Sequence, residues 1–589
     1  MNRTLKILPE GRVLKAPFGR GLSDVLEEAG ISLSLYCGGR GLCGKCFVEI
    51  VRGDLPEPNE DERALRARRN LPPNHRLACR CRVEGDLVVR VPAGSRLPKM
   101  PVLSRGAGRT VSLDPAVRKL RLTRPVPDPA SPRAFLDSIA GLFSGSRLPA
   151  SVKTLKDLTR TASVAAEGSE VTAVLYQDRD WIALEPADTT DRNFGIAVDL
   201  GTTTVVVELI DLNAGTIVDS AAGLNPQVKF GADVVSRITA AFADPAKLED
   251  LRAAVVGGLN DLIGGLLEAN QVAPENVYEA VVAGNTAMGH LFLGLPVATL
   301  AVSPYAALFS VLPALPADET GLAIHPGGRV YLAPNIRSFV GGDIAAGLAA
   351  IDLEHQDGNF LFIDLGTNGE LVVKKGRRFT TTSTAAGPAF EGMTISCGML
   401  ALPGAVYKAR YRKDGLSLET VAGQPAKGVC GTGLIDIIAG ALDGGLLSPQ
   451  GHILSPSKTI ALTNGLALSQ KDVREVQLAA AAVKTGIRML LDENSMTTAD
   501  LDGIYVAGAF GNYLNVPNSV KLGLLPRFDR RRIRFVGNSS LAGARALLLS
   551  LPERPRCEKL AGKVRHVSLA KDADFQELFI KALEFKIWK

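Results

Sequence analysis

One motif, an apolar run ending in Asp-Leu-Gly-Thr, occurs twice in this chain, and each copy leads into a second apolar run. FGIAVDLGTTTVVVELIDL (194–212) matches FLFIDLGTNGELVVKKG (360–376) in this respect. Downstream, VVAGNTAM (281–288) is matched by YVAGAFGN (505–512), so two motifs recur in the same order. A recurrence of this kind predicts two similar subdomains facing each other. From 192 to 589, apolar strands alternate with Ala/Leu-rich helices, which argues for a duplicated α/β architecture with halves at about 192–350 and 358–545.

Each copy places a carboxylate at the end of a strand, followed by a glycine turn bearing hydroxyls. Gly201, Thr202, Thr203 and Thr204 in the first copy, and Gly366, Thr367 and Asn368 in the second, are candidates to receive phosphate oxygens on backbone N–H groups and side-chain donors. Asp199 and Asp364 are the candidate catalytic carboxylates, suited to hold Mg²⁺ directly or through water. Either hairpin alone reads equally well as an ordinary β-turn; the opposed pair reads as a clamp on the phosphates of a nucleotide. In VAGAFGN, Gly508, Ala509 and Gly511 leave room for an adenosine against the backbone. The pattern resembles the actin/Hsp70/sugar-kinase superfamily over roughly 192–545. That resemblance implies that VAGNTAM is a structural relic of duplication. It also implies that NPQVKFGADVVSRI (225–238) carries a residue positioning the attacking water, with Gln227 and Asp233 as candidates. A helix cap and a solvated polar residue are their plainer alternatives. Asp343 in PNIRSFVGGDIAAG (334–347) either caps a helix or faces the nucleotide.

The second constraint is the cysteine distribution. Of eight cysteines, five fall between 37 and 81, too few and too clustered for a disulfide framework in a chain of 589 residues. Cys37, Cys43 and Cys46 have the spacing C-x5-C-x2-C in a Gly-rich loop, and Cys79 follows in HRLAC. Three loop thiolates can hold one iron and half of a second, with the distant cysteine completing a [2Fe–2S] site. A zinc site would more often show two C-x2-C pairs or histidines, and a dithiol motif needs only one such pair. Cys79 and Cys81 stand two residues apart and only one is needed as the fourth ligand; Cys79 is the choice. Two short strands around Pro9-Glu10-Gly11, a helix LSDVLEEAG capped by Ser23 and stopped at Gly30, and strands CFVEIVRG and DLVVRVP complete a small α+β domain over 1–94. The loop and RLAC resemble β-grasp [2Fe–2S] ferredoxins, nearer the adrenodoxin-like branch, which implies a one-electron carrier.

Residues 95–107 read as a linker, and 108–190 as a small α/β middle domain of spacer or docking type. Cys397, Cys430 and Cys557 read as small buried residues. The net charge of +6 and 5% aromatics argue against a nucleic-acid partner, and the runs at 63–69 and 527–534 read as solvated basic faces. The absence of an apolar stretch of about 18 residues argues against a membrane span. With no secretory h-region, the expected setting is the reducing cytoplasm.

A ferredoxin, a spacer and an actin-like ATPase in one chain resemble the reductive activators of corrinoid proteins, found with the corrinoid iron–sulfur protein and corrinoid-dependent O-demethylases. RLAC, DLGTTTV, NPQ…FGADVVSRI, DLGTNGE, GVCGTGLID (428–436) and QKDVREVQLA (470–479) carry the resemblance across essentially the whole chain. It implies that one electron passes from the cluster to a Co(II) corrinoid, regenerating Co(I), with ATP hydrolysis driving the uphill step. A corrinoid protein and an upstream electron donor are the implied partners, and a homodimer is among the compatible assemblies. The scattered C-terminal cysteines exclude the [4Fe–4S] motifs of the related methylamine activator. The alternatives are an activator of another low-potential metalloenzyme, which the four-cysteine loop disfavours, and a non-catalytic nucleotide-binding ferredoxin fusion.

Overall fold

A computed structural model describes the chain except for residues 1, 32, 34, 36–40, 42–43, 69–70, 97–107, 127–129, 131–133, 144, 146, 148–151, 153–154, 157, 161–167, 413–414, 464, 509–513, 570–573 and 587–589. Most of the expected linker therefore falls outside the described residues. Among the described residues no helix is long and apolar enough to cross a membrane.

The N-terminal sheet has the order Arg12–Pro17, Asn2–Leu8, Leu87–Arg90, Phe47–Arg52, His75–Leu77. Asn2–Leu8 runs parallel to Leu87–Arg90, and the other pairings are antiparallel, which gives the β-grasp. Alternation along the first strand sends Leu5 and Ile7 into the core, where helix Leu22–Glu28 covers them with Leu22, Val25 and Leu26. Ser23 is not the cap of that helix: it lies in the first turn, and the N-cap is Gly21 with no side-chain bond. A tertiary bond takes over, the Leu22 N–H donating to Cys81 O at 2.9 Å, so the helix begins two residues earlier than a Ser23 cap allows. Gly30, at φ +74, ends it.

The two halves of the duplicated region share one strand order. In the first, Thr216–Leu224, Thr204–Asp211 and Phe194–Leu200 form an antiparallel meander, then Val277–Gly284 and Arg329–Leu332 add in parallel. In the second, Arg378–Thr384, Gly369–Lys375 and Asn359–Leu365 repeat the meander, and Gly503–Ala507 and Ile533–Gly537 repeat the parallel additions. The central strands carry near-continuous apolar runs because helices cover both faces. Helices Gly342–Ala350 and Ser539–Leu549 pack on each other between the sheets and join both halves in one core with Phe362, Val281, Tyr505 and Leu548. An extra sheet, Gly415–Thr420, Ala405–Arg412 and Gly428–Val429, belongs to the second half only.

Between ferredoxin and repeat, Val117–Thr123, Glu170–Tyr176 and Asp180–Pro186 form a three-stranded antiparallel sheet. One face builds a small core with Trp181, Leu175 and Ile139; the other, through Val117, Val174 and Ile182, joins the core of the duplicated region. Arg554 pins this junction. It is buried and donates to Glu279 Oε1 and Tyr176 Oη, each at 2.7 Å, and to Leu547 O at 3.0 Å. Arg554→Ala strands the buried Glu279 carboxylate and is expected to cost about 3–5 kcal/mol, measured as a lower urea midpoint.

Candidate functional site

The two Asp-Leu-Gly-Thr turns come together. Thr203 Oγ1 and Thr367 Oγ1 lie 2.6 Å apart, so the tips of the two hairpins touch across the interface of the halves. Behind the first tip, Asn285 Nδ2 donates to Thr202 Oγ1 at 3.0 Å, and the buried Arg237 donates to Thr202 O at 2.6 Å. Asp199 is gripped from the opposite half, by Asn538 Nδ2 at 2.7 Å and Ser540 Oγ at 2.8 Å, at the start of helix Ser539–Leu549.

All of these groups except Arg237 line a cavity of about 620 Å³ between the halves. Asp199, Gly201, Thr202, Thr203, Thr204, Asp364, Gly366, Thr367, Asn368 and Gly508 all border it. Gly508 sits at φ +102, and a Cβ there would meet Leu365 O at 2.3 Å and Asp364 Oδ1 at 3.0 Å, so only glycine fits beside that carboxylate. Ala509 and Gly511 lie outside the described residues. The far end of the cavity is more apolar, walled by Phe390, Met399, Leu400, Val421 and Ala422.

Gln227 and Asp233 do not border this cavity. Asp233 is the N-cap of helix Val234–Ala243, its carboxylate accepting from Ser236 N–H at 2.8 Å in a reciprocal capping box. Gln227 is fully buried: its Nε2 donates to Leu251 O at 3.0 Å and its Oε1 accepts from Arg237 at 3.3 Å. Both side chains are consumed in holding the connection to the following helices. VAGNTAM is more than a relic, because Asn285 from it both borders the cavity and braces Thr202. Asp343, which the sequence left undecided, also borders the cavity.

The cavity is acidic. Asp199, Asp343, Asp364, Glu370 and Glu391 line it, and among the described lining residues none is Lys, Arg or His. Burial raises all five carboxyls. Asp364 is pushed up to about 8 by burial, then by the charges of Asp343 and Asp199. Asp343 and Glu391 are each pushed up to about 7, chiefly by burial. Glu370 is raised by burial and by Asp343 and Asp364. Carboxyls held towards neutrality in this way ionise when a counter-charge reaches them, so the lining is suited to face a divalent cation. Among the described residues no three of His, Cys, Asp or Glu are grouped to chelate a metal alone. Glu370, Glu391, Asn538 and Ser540 were not singled out from the sequence. Glu370 had a readable signal, a carboxylate placed ahead of the apolar LVV of its strand, directly after DLGTNG.

In the ferredoxin domain, Cys46 Sγ lies 3.3 Å from Cys79 Sγ although 33 residues separate them. Gly41 and Gly44 adopt φ of +71 and +66 around the loop. The donor set fits an iron pair: two thiols close enough to share one iron, next to a loop that carries two more. Cys37 and Cys43 themselves lie outside the described residues. Cys81 is turned into the domain core, and burial pushes its thiol up to about 12, the opposite of what a thiolate ligand needs. The loop also reaches the duplicated region. Lys45 donates to Gly398 O in the second half, and Glu27 pairs with Lys229 of the first half at 3.2 Å.

Comparison with known proteins gives three family matches. A "2Fe-2S iron-sulfur cluster binding domain" matches residues 5–84, a "RACo middle region" matches 194–356, and a "C-terminal domain of RACo the ASKHA domain" matches 358–588. Residues 108–190 lie outside these three matches. The "Corrinoid activation enzyme RamQ" of Eubacterium limosum is 30% identical over 589 residues, 95% of each chain. A "[Co(II) methylated amine-specific corrinoid protein] reductase" of Methanosarcina barkeri is 31% identical over 44% of this chain and 52% of its own. A solved structure titled "Reductive activator for corrinoid,iron-sulfur protein" superposes with a TM-score of 0.74 at 32% identity, over 99% of this chain and 98% of that one.

Proposed function

The chain belongs to the reductive activators of corrinoid proteins, and from that premise we propose that it couples ATP hydrolysis to one-electron reduction of a partner's Co(II) corrinoid to Co(I). The observation that carries the proposal is the contact of Thr203 with Thr367, which closes two phosphate-type hairpins around one acidic cavity.

Each residue has an assigned task. Gly201, Thr202, Thr203, Thr204, Gly366, Thr367 and Asn368 receive phosphate oxygens from both sides. Asp199 and Asp364 face the Mg²⁺ that travels with them, and Gly508 keeps the nucleotide side of the second hairpin open. Cys37, Cys43, Cys46 and Cys79 would hold the [2Fe–2S] cluster. When bound, the cluster supplies the single electron that the corrinoid takes up, and an external donor replaces it. ATP drives this uphill transfer only if the nucleotide-bound and nucleotide-free forms differ in affinity for the Co(II) partner.

The test mixes the reduced protein with a Co(II) corrinoid protein and follows the Co(I) absorption band with ATP, without nucleotide, and with a non-hydrolysable analogue. Co(I) is expected to accumulate with ATP alone. Equal Co(I) formation in all three mixtures, or none with any corrinoid partner, would refute the proposal.

A further inference from the structure

We propose that Glu391 is the catalytic base of ATP hydrolysis, accepting the proton of the water that attacks the γ-phosphorus; this rests on reading the cavity as an ATP site. In the step, the water oxygen bonds to the γ-phosphorus and its proton passes to Glu391. The bond from the γ-phosphorus to the bridging oxygen breaks, and its electron pair leaves with ADP. Orthophosphate is the second product, and Glu391 returns the proton to solvent.

Geometry singles out this carboxylate. Oε1 accepts from Thr367 Oγ1 at 3.1 Å, and Thr367 in turn touches Thr203, so Glu391 is anchored where the two hairpin tips meet. Oε2 is buried and has no hydrogen-bond partner, on a side chain that borders the cavity. One oxygen fixed and the other a buried acceptor with no protein partner, on a side chain that borders the cavity, leaves the place of a proton donor unfilled, which an attacking water would take. The neighbouring acids differ. Asp199 has both oxygens occupied by Asn538 and Ser540, and among the described acids of the lining Glu391 is the one with a buried carboxylate oxygen left without a partner. Asp364 stands among the charges of Asp343 and Asp199, the place for a cation, whereas no neighbouring charge contributes to raising Glu391 toward neutrality.

The backbone beneath Glu391 is locked. Gly392 adopts φ +74, and a Cβ on it would meet Met399 N at 2.5 Å; a Cβ on Gly398 would meet Gly392 O at 2.4 Å. Two glycine backbones pressed together hold the turn that presents the carboxylate. The duplication supplies a second line of support. Glu391 follows the third meander strand of the second half, as Gln227 and Asp233 follow that of the first. In the first half those polar groups are spent on a cap and a helix carbonyl; in the second half one oxygen is left open.

The experiment compares Glu391→Gln and Glu391→Asp with the wild type. It measures ATP turnover, KM, and calorimetric binding of a non-hydrolysable ATP analogue, with melting temperature as the check on folding. Glu391→Gln is expected to lower kcat by about 10²–10⁴-fold while KM and analogue affinity stay within about threefold. Glu391→Asp is expected to recover part of the lost rate. Turnover of Glu391→Gln within about threefold of wild type, or parallel loss of turnover and analogue binding, overturns the assignment. If the wild type itself neither binds the analogue nor hydrolyses ATP, the ATP reading falls. Normal wild-type hydrolysis with an unimpaired Gln variant removes only the role of Glu391.

Discussion

Cys79→Ala is expected to abolish the visible absorption of the iron–sulfur cluster and all electron delivery to a corrinoid, whereas Cys81→Ala leaves both in place. The two cysteines are two residues apart, yet the fold sends them to different environments. Cys79 is half-buried with its sulfur 3.3 Å from Cys46, while Cys81 sits in the apolar core with a thiol held neutral. An iron pair needs two sulfurs placed for one metal, and the fold gives that short approach to Cys46 and Cys79. Cys46→Ala is expected to match Cys79→Ala. The measurement is the absorption spectrum of each purified variant with iron content per chain. A cluster retained in Cys79→Ala but missing from Cys81→Ala would reverse the ligand assignment.

Asp364→Asn is expected to lower ATP turnover by about 10²–10³-fold and, at the same time, to make the protein free of nucleotide and magnesium more tolerant of high pH. The loss follows from removing a charge that faces the cation. The gain follows from linkage. Asp364 is pushed up to about 8 from an ordinary 3.8. Below the lower value the carboxyl is protonated in folded and unfolded chains alike, and the neutral acid favours neither. Between the two values the unfolded chain ionises first, so stability falls as pH rises, by up to about 1.4 kcal/mol per pH unit. Above the higher value both states are charged and the loss levels off. Asp343 and Glu391 add slopes of the same sign, so the informative quantity is the difference in melting temperature between variant and wild type from pH 5 to pH 8. Parallel curves would show that Asp364 is already ionised in the folded protein. A site that weakens its own apo state in this way holds carboxylates apart from counter-charge until a cation arrives.

The duplication was legible because it rests on local patterns. An apolar strand, Asp-Leu-Gly-Thr and a second strand can be read along the chain, and the structure returns them with the same sheet order in both halves. The β-grasp strands were legible for the same reason, since Leu5 and Ile7 alternate with polar neighbours. Failures came where through-space partners decide. Ser23 looks like a cap until the carbonyl of Cys81 is brought to Leu22. Asp233, with Ser236 three residues on, carried the signature of a reciprocal cap, and the structure uses it that way. Gln227 is satisfied by Leu251 O, which no reading of its neighbours anticipates. Conversely, nothing local distinguishes Glu391 in PAFEG from a surface glutamate. Its place emerges only when Thr367 is pressed against Thr203. Asn538 and Ser540 likewise acquire meaning from Asp199, which lies in the other half of the repeat.

The ferredoxin domain touches one half of the duplicated region through Glu27 and Lys229, and the other through Lys45 and Gly398. A rigid body resting on two supports cannot keep both when the supports turn relative to each other. Both tethers are cheap: an exposed ion pair contributes about 0–1 kcal/mol, and a single additional hydrogen bond about 0.5–1.5 kcal/mol. At one or two kcal/mol together, these two described tethers by themselves shift the balance towards the seated position roughly five- to thirtyfold. Small shifts between the halves therefore translate into large changes in how often the electron carrier is parked, and salt acts on that occupancy by screening one of its two footholds.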